Sequence, residues 1–327
     1  MKIDDLESFW EINSRSDFNA LALKTFAFQY QNNSVYRSFC DLINCNPVEI
    51  IKFEDIPHLP ICFFKSKRVC SFQDDKAKYF SSSTKRGSPS KHFYRHLEDY
   101  KMSFRKGFEY FYGPVEDYVV LALLPSYLER EGSSLIYMAN DMIHKSHYTE
   151  SDFYLDQLEA IKEQLIKLEE KGQKTLLLGV SFALLDLAEH YSFNLKNTIV
   201  METGGMKGRR KELTREGLHQ RLKKALGCSK IHSEYGMTEM FSQAYSKGNG
   251  VFECPPWLRV YARENQDPFT RLPFGQSGGL NITDLANKDS CAFIATEDLG
   301  KVYSEQQFEV LGRIDSSEIR GCNLMMA

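Results

Sequence analysis

The chain has 327 residues, 42% of them hydrophobic and 26% charged, an ordinary globular balance that can bury a sizeable core in one large domain or two. Its formal net charge is −3, so no overall basic field draws it to nucleic acid. The opening residues MKIDDLESFW carry acids where an export leader needs positive charge, and no apolar run approaches the roughly 18 residues of a membrane helix, so a cytoplasmic chain without a membrane span is expected.

In chain order, residues 4–43 set aromatic and charged residues at helical spacing, with Phe18, Leu21, Leu23, Phe26 and Phe28 along one face. Pro47 and then Asp55-Ile-Pro-His-Leu-Pro60 break the pattern and predict an extended linker lying over a domain surface. Residues 69–80 read as a strand, 81–91 as a polar loop, and 92–112 as an amphipathic helix ending near Gly113-Pro114. The apolar run 117–124 is a buried strand. A helix is expected over 152–171, with Gly172 just past its end. There follow a strand at 175–180, a helix at 181–190, a strand at 198–203, a helix at 212–226 and a strand at 231–235.

This alternation predicts an α/β fold: a mostly parallel, helix-covered sheet. Beyond residue 252 the strands expected at 257–262, 279–283, 291–296 and 302–310 predict a small antiparallel β lobe near the C-terminus. The whole chain, 1–327, then forms one domain, with a helical segment and linker at 1–65, the α/β core at 66–250 and the β-rich lobe and tail at 251–327. Ligands of open α/β sheets bind beyond the carboxyl ends of strands, so the segments after Phe80, Thr203 and Tyr235 are candidates for one shared cleft.

The segment Ser81-Ser-Ser-Thr-Lys-Arg-Gly-Ser-Pro-Ser-Lys91 gathers hydroxyls, a glycine and three cations. Such a loop can cradle phosphate, and it can equally be a solvated or phosphorylatable loop. In His232-Ser-Glu-Tyr-Gly-Met-Thr-Glu239, Tyr235 can stack on a base, Thr238 can donate to phosphate and Glu239 can ligate Mg²⁺. The alternative there is a polar strand-to-helix turn with Thr238 as N-cap. Eight cysteines contain no C-x-x-C pair and read as reduced thiols. Cys322, after Arg320 and Gly321, is open between a nucleophile and a plain tail thiol.

Four motifs in order carry a resemblance to the adenylate-forming superfamily of acyl-CoA synthetases and luciferases. They are Ser81-Ser-Ser-Thr with Gly87-Ser-Pro, Tyr235-Gly-Met-Thr-Glu239, Ile282-Thr-Asp-Leu-Ala to Thr296-Glu-Asp-Leu-Gly300, and Leu311-Gly-Arg-Ile-Asp315. Leu124-Pro-Ser-Tyr with Gly132-Ser-Ser-Leu, and Glu318-Ile-Arg-Gly-Cys-Asn-Leu324, are most similar to the LuxE-type acyl-protein synthetases. That resemblance implies activation of a carboxylic acid, a fatty acid in that family, by ATP and Mg²⁺, then acyl transfer to a cysteine near the C-terminus and delivery to a partner reductase. It implies that Ser82, Ser83, Thr84 and Gly87 embrace phosphates, and that Tyr235 and Gly236 line the adenine site. Thr238 meets the α-phosphate, Glu239 holds Mg²⁺, Asp298 binds the ribose with Arg313 beside it, and Cys322 takes the acyl group. Gly204 and Gly205 end a strand where that superfamily lets adenine approach the backbone, and a plain turn serves equally there.

The phosphate loop departs from the pattern: Ser83 replaces a glycine, Lys85-Arg86 adds a residue, and Ser90 stands where lysine is usual. The sequence ends soon after the hinge motif, an expectation of no mobile C-terminal domain, as in LuxE-type chains. The rival readings are an acid–CoA ligase of the phenylacetate type and a non-catalytic nucleotide- or acyl-binding protein on the same scaffold.

Overall fold

Ser14 accepts a hydrogen bond from Asp17 N–H and so starts α1 (Arg15–Asn32). Asn33 ends that helix and caps α2 (Ser34–Leu42) through Tyr36 N–H. A computed structural model describes residues 9–82, 88–124, 132–155, 157–204 and 213–314. After the first two helices come β1 (Leu59–Pro60), α3 (Phe63–Ser66), β2 (Lys78–Ser81), β3 (Lys91–Tyr94) and α4 (Leu97–Tyr112). The middle of the chain runs through β4 (Val119–Leu123), α5 (Ser134–Lys145), β5 (Asp152–Tyr154), α6 (Leu158–Glu170), β6 (Thr175–Val180) and α7 (Ser181–His190). Then come β7 (Thr198–Thr203), α8 (Arg215–Leu226), β8 (His232–Tyr235), β9 (Ala244–Ser246) and β10 (Val251–Glu253). The chain continues with β11 (Leu258–Arg263), β12 (Ser277–Asp284), β13 (Phe293–Ser304) and β14 (Gln307–Arg313).

The chain divides into two compact units. One comprises Met1–Ser103, Met237–Ser242 and Glu253–Ala327; the other comprises Phe104–Gly236 and Gln243–Phe252. In the second unit β5, β4, β6, β7 and β8 pair side by side in parallel, and β9 turns back antiparallel to β8. Every residue of β4 and β6 is buried, as a parallel sheet covered by helices requires. Helices α5, α6 and α7 supply the cover, α6 through Ile161, Leu165 and Leu168.

In the first unit β11, β12, β13 and β14 form an antiparallel meander. The α/β class with an antiparallel lobe is therefore the observed architecture. Two strands expected at 291–296 and 302–310 belong instead to one hairpin, β13 and β14, with Ser304 paired to Gln307. Gly300 sits at a register shift within β13, where a Cβ would lie 2.5 Å from the Glu309 carbonyl.

Other expectations need correction. Residues 91–94 open no helix: β3 pairs antiparallel with β2, setting Phe80 opposite His92, and α4 starts at Leu97. Of the strand expected at 69–80, only its end forms one. Residues 152–154 join β4 as an edge strand, so α6 starts later than expected. Helix α5 was not anticipated, although Ser133 caps it through Ile136 N–H. The linker is extended yet buried: β1 pairs in parallel with β13, and His58 bonds Thr283 Oγ1 at 3.0 Å. No helix of the described residues is long and apolar enough to cross a membrane.

The N-terminal helices also hold a loop. Gln29, fully buried on α1, donates to the carbonyls of Asn287 and Lys288 at 2.9 and 3.1 Å and accepts from Ala292 N–H at 2.9 Å. Asn33 donates to the Ser290 carbonyl at 3.0 Å. Replacing Gln29 by Ala strands three buried backbone groups and is expected to cost about 2–4 kcal/mol, read as a lower urea midpoint with unchanged slope.

Candidate functional site

Residues 237–242 link β8 to β9 without regular structure. No helix follows Thr238, so its alternative reading as an N-cap fails. Instead, buried side chains of the first unit hold the backbone of this segment. His92 Nδ1–H donates to the Thr238 carbonyl at 2.7 Å, and Asn287 Nδ2 donates to the Glu239 carbonyl at 2.8 Å. Asp284 accepts from Phe241 N–H and Ser242 N–H at 2.8 and 2.9 Å, and from the Ser242 hydroxyl. Trp257 Nε1–H donates to Ser242 Oγ at 3.0 Å. Each of the five residues after Met237 thus has a backbone group engaged: Thr238, Glu239, Phe241 and Ser242 by side chains, and Met240 N–H by the Met237 carbonyl.

The Glu239 side chain is buried, and burial raises its pKa. Ser90, Lys65 and Arg313 act in the opposite direction. Ser90 Oγ faces this carboxyl and helps to hold its pKa down. Ser82 closes the base of the hydroxyl-rich loop: Ser82 N–H donates to the Ser90 carbonyl at 3.1 Å, and Ser90 N–H donates to Ser82 Oγ at 2.9 Å. Asp298 on β13 lies opposite Arg313 on β14, with Arg313 Nε 3.6 Å from its carboxylate and Nη2 3.2 Å from Glu297. Lys65 Nζ approaches Glu297 at 3.7 Å. Ser82, Thr238, Glu239, Asp298 and Arg313 therefore lie in one unit, where Ser90 faces Glu239 and the charges of Lys65 and Arg313 reach it. Ser83, Thr84, Gly87, Gly205 and Cys322 lie outside the described residues.

Gly204, Tyr235 and Gly236 belong to the second unit. Gly204 takes φ +65° at the end of β7, and its carbonyl accepts from the Ser181 hydroxyl at 2.9 Å. The Tyr235 ring rests 5.7 Å from that of Phe252. Beneath these residues lie two buried carboxyls. Glu202 accepts from Ser181 and Ser233 hydroxyls, both at 2.9 Å, with Arg215 and His219 at 3.6 and 3.5 Å. Burial lifts its pKa, but its hydrogen-bond donors and cations outweigh that and hold it low. Glu234 accepts from the Thr203 hydroxyl; burial and the Glu202 charge push its pKa up to about 7. A Cβ at Gly236 would stand 2.5 Å from Glu234 Oε1, so any larger residue there would have to displace the Glu234 carboxyl.

His92, Asp284, Asn287, Glu234 and Lys65 were not foreseen as site residues. A plain sequence signal exists only for Asp284 and Asn287, polar residues directly after an apolar strand. The others depend on which strand faces them.

Comparison with known proteins bears on this arrangement. A family model described as acyl-protein synthetase, LuxE, matches residues 6–327. A long-chain-fatty-acid–luciferin-component ligase from Vibrio harveyi is 24% identical over 359 residues, covering 100% of this chain and 93% of the relative. Among solved structures, an open conformation of 2-hydroxyisobutyryl-CoA ligase with 2-HIB-AMP and CoA superposes with a TM-score of 0.65 at 13% identity, over 97% of this chain and 76% of that one. ATP-bound MatB from Rhodopseudomonas palustris gives a TM-score of 0.56 at 14% identity, over 74% of this chain and 49% of that one, so the chain spans about half of MatB. These two likenesses establish the fold.

Glu234 supplies a pH test. The folded state keeps its proton up to about pH 7, above the ordinary value of 4.5, so its contribution is fully present below that value and is lost as pH rises through about 7. Glu234→Gln should raise the melting temperature near pH 8, by up to a few kcal/mol of stability, and leave it nearly unchanged at acid pH.

Proposed function

The chain belongs to the LuxE acyl-protein synthetase family, and we propose that it activates a fatty acid with ATP and passes the acyl group to a thiol, Cys322 of its own chain. The observation that supports this most is the assembly around Glu239. The buried Glu239 carboxyl and the Ser90 hydroxyl that faces it lie at the foot of the hydroxyl-rich loop, with Asp298 and the guanidinium of Arg313 in the same unit.

In this reading the fatty-acid carboxylate attacks the α-phosphorus of ATP. An oxygen–phosphorus bond forms, the bond to the β-phosphate oxygen breaks, and pyrophosphate leaves. The barrier is chiefly electrostatic, because negative charge gathers on the phosphates. Ser82, Ser83, Thr84 and Gly87 donate to the β- and γ-phosphates, Thr238 donates to the α-phosphate, and Asp298 accepts from the ribose hydroxyls with Arg313 beside it. Tyr235, Gly236, Gly204 and Gly205 serve the adenine. A single acidic oxygen donor fits Mg²⁺, which binds one or two carboxylates together with substrate phosphates. Held by Glu239 and those phosphates, it would offset charge on the departing pyrophosphate.

The Cys322 thiolate then attacks the acyl carbon. A carbon–sulfur bond forms, the carbon–oxygen bond to AMP breaks, and AMP departs. Arg320, two residues away, favours the thiolate form. The acyl group leaves Cys322 for a partner reductase.

The test is ATP–pyrophosphate exchange with tetradecanoic acid, combined with intact-mass analysis. Exchange should occur without CoA, and the protein should gain the mass of one acyl group. Cys322→Ser should retain exchange and lose the acyl adduct; an adduct on that variant would exclude Cys322, and a product that requires CoA would favour the acid–CoA ligase. Glu239→Gln should slow exchange on the order of 100-fold while leaving the melting temperature within a few degrees.

A further inference from the structure

His92 emerges from β3 into a fully enclosed position. Its two ring nitrogens are both engaged: Nδ1 lies 2.7 Å from the Thr238 carbonyl and Nε2 lies 2.8 Å from Ser290 Oγ. A carbonyl can only accept, so Nδ1 carries the proton. Burial lowers the pKa to about 4, which keeps the ring neutral and leaves Nε2 to accept from Ser290. The ring lies 4.6 Å from that of Phe241 at 33°, and the Phe64 ring meets it edge-on at 6.0 Å. Nothing in this setting leaves a nitrogen to act on a substrate.

Its neighbours give the residue its meaning. Ser90 stands two residues earlier and faces the Glu239 side chain, while His92 holds the carbonyl of Thr238. One short stretch of chain, 90–92, therefore closes the hydroxyl-rich loop through Ser82 and also grips the Thr238–Glu239 pair. Other backbone groups of this segment are held by the 284–287 turn: the Glu239 carbonyl by Asn287 and the amides of Phe241 and Ser242 by Asp284. The Thr238 carbonyl alone is held from β3. Release of that bond would free the peptide between Thr238 and Glu239 to rotate against the fixed Glu239 carbonyl, which changes the aim of both side chains.

We propose that His92 is a positioning residue for acid activation: by donating from Nδ1 to the Thr238 carbonyl it sets the aim of the Thr238 and Glu239 side chains and ties them to the hydroxyl-rich loop. This rests on the reading that those two side chains act on ATP. A misplacement of about 1 Å at a reacting centre can cost on the order of 100-fold.

Three variants separate the bond from the packing. His92→Asn keeps an N–H donor at the same distance from the backbone as Nδ1. His92→Gln moves its amide outward, toward the Nε2 end and Ser290. His92→Phe keeps the ring against Phe241 and removes both bonds. Each is measured for ATP–pyrophosphate exchange with tetradecanoic acid, with kcat and KM for ATP taken separately, and for thermal melting. The expected result is a kcat for Asn within about 5-fold of the parent, with Gln and Phe reduced at least about 20-fold at temperatures well below their melting. Gln as active as Asn, or a folded Phe variant with undiminished kcat, overturns the proposal. If Phe does not fold, the Asn–Gln pair decides. An inactive parent protein would instead defeat the acid-activation reading and leave the His92–Thr238 contact untouched, so the two failures are distinguishable.

Discussion

The buried carboxylate of Asp284 organises the first unit. It sits at the end of β12, fully enclosed, and accepts from Phe241 N–H, Ser242 N–H, the Ser242 hydroxyl and Ala286 N–H. A charge buried without such donors would cost several kcal/mol, so the turn after β12 and the segment before β9 must keep their mutual geometry. Burial still pushes its pKa upward, against the pull of these donors. Asn287, three residues on, continues the same role at the Glu239 and Cys291 carbonyls.

From that anchor the support extends outward in layers. The 287–292 backbone is held from behind by Gln29 on α1 and by Asn33, the cap between α1 and α2. These bonds explain why the N-terminal helices carry fully buried amides: each satisfies backbone groups that no sheet or helix reaches. A continuous set of hydrogen bonds thus runs from α1 through Asn287 to the Glu239 carbonyl. Rigid support of this kind is what a phosphate-handling site needs, because charge stabilisation depends on donors that do not reorganise during reaction.

The second unit solves a different electrostatic problem. Two carboxyls, Glu202 and Glu234, lie at the ends of neighbouring parallel strands, paired in register through Glu202–Ser233 and Thr203–Glu234. Glu202 has hydroxyl donors and cations and stays ionised; Glu234 has a hydroxyl and a like-charged neighbour and is driven toward the neutral form. Division of labour between the two carboxyls removes the repulsion that two buried charges would impose. It also ties the ends of β7 and β8, where Gly204 and Gly236 leave backbone exposed to approach.

The strand–helix alternation, the late antiparallel lobe and the order of the motifs were legible from residue types, because apolar runs of strand length and turn residues act locally. The family followed from four polar segments in a fixed order, a property of the chain alone. Local pattern failed where strand pairing decided the outcome: His92-Phe-Tyr fits a helix or a strand equally, and only β2 made it a strand. The same pairing turned His92 from an unassigned histidine into the partner of Thr238, 146 residues away. The linker at 55–60 was likewise readable as extended but not as buried, since its cover comes from β13. Sequence determined the family and which segments could be strands; tertiary structure alone decided which buried donors hold the segment after β8, because hydrogen bonds between distant segments leave no periodic trace in the chain.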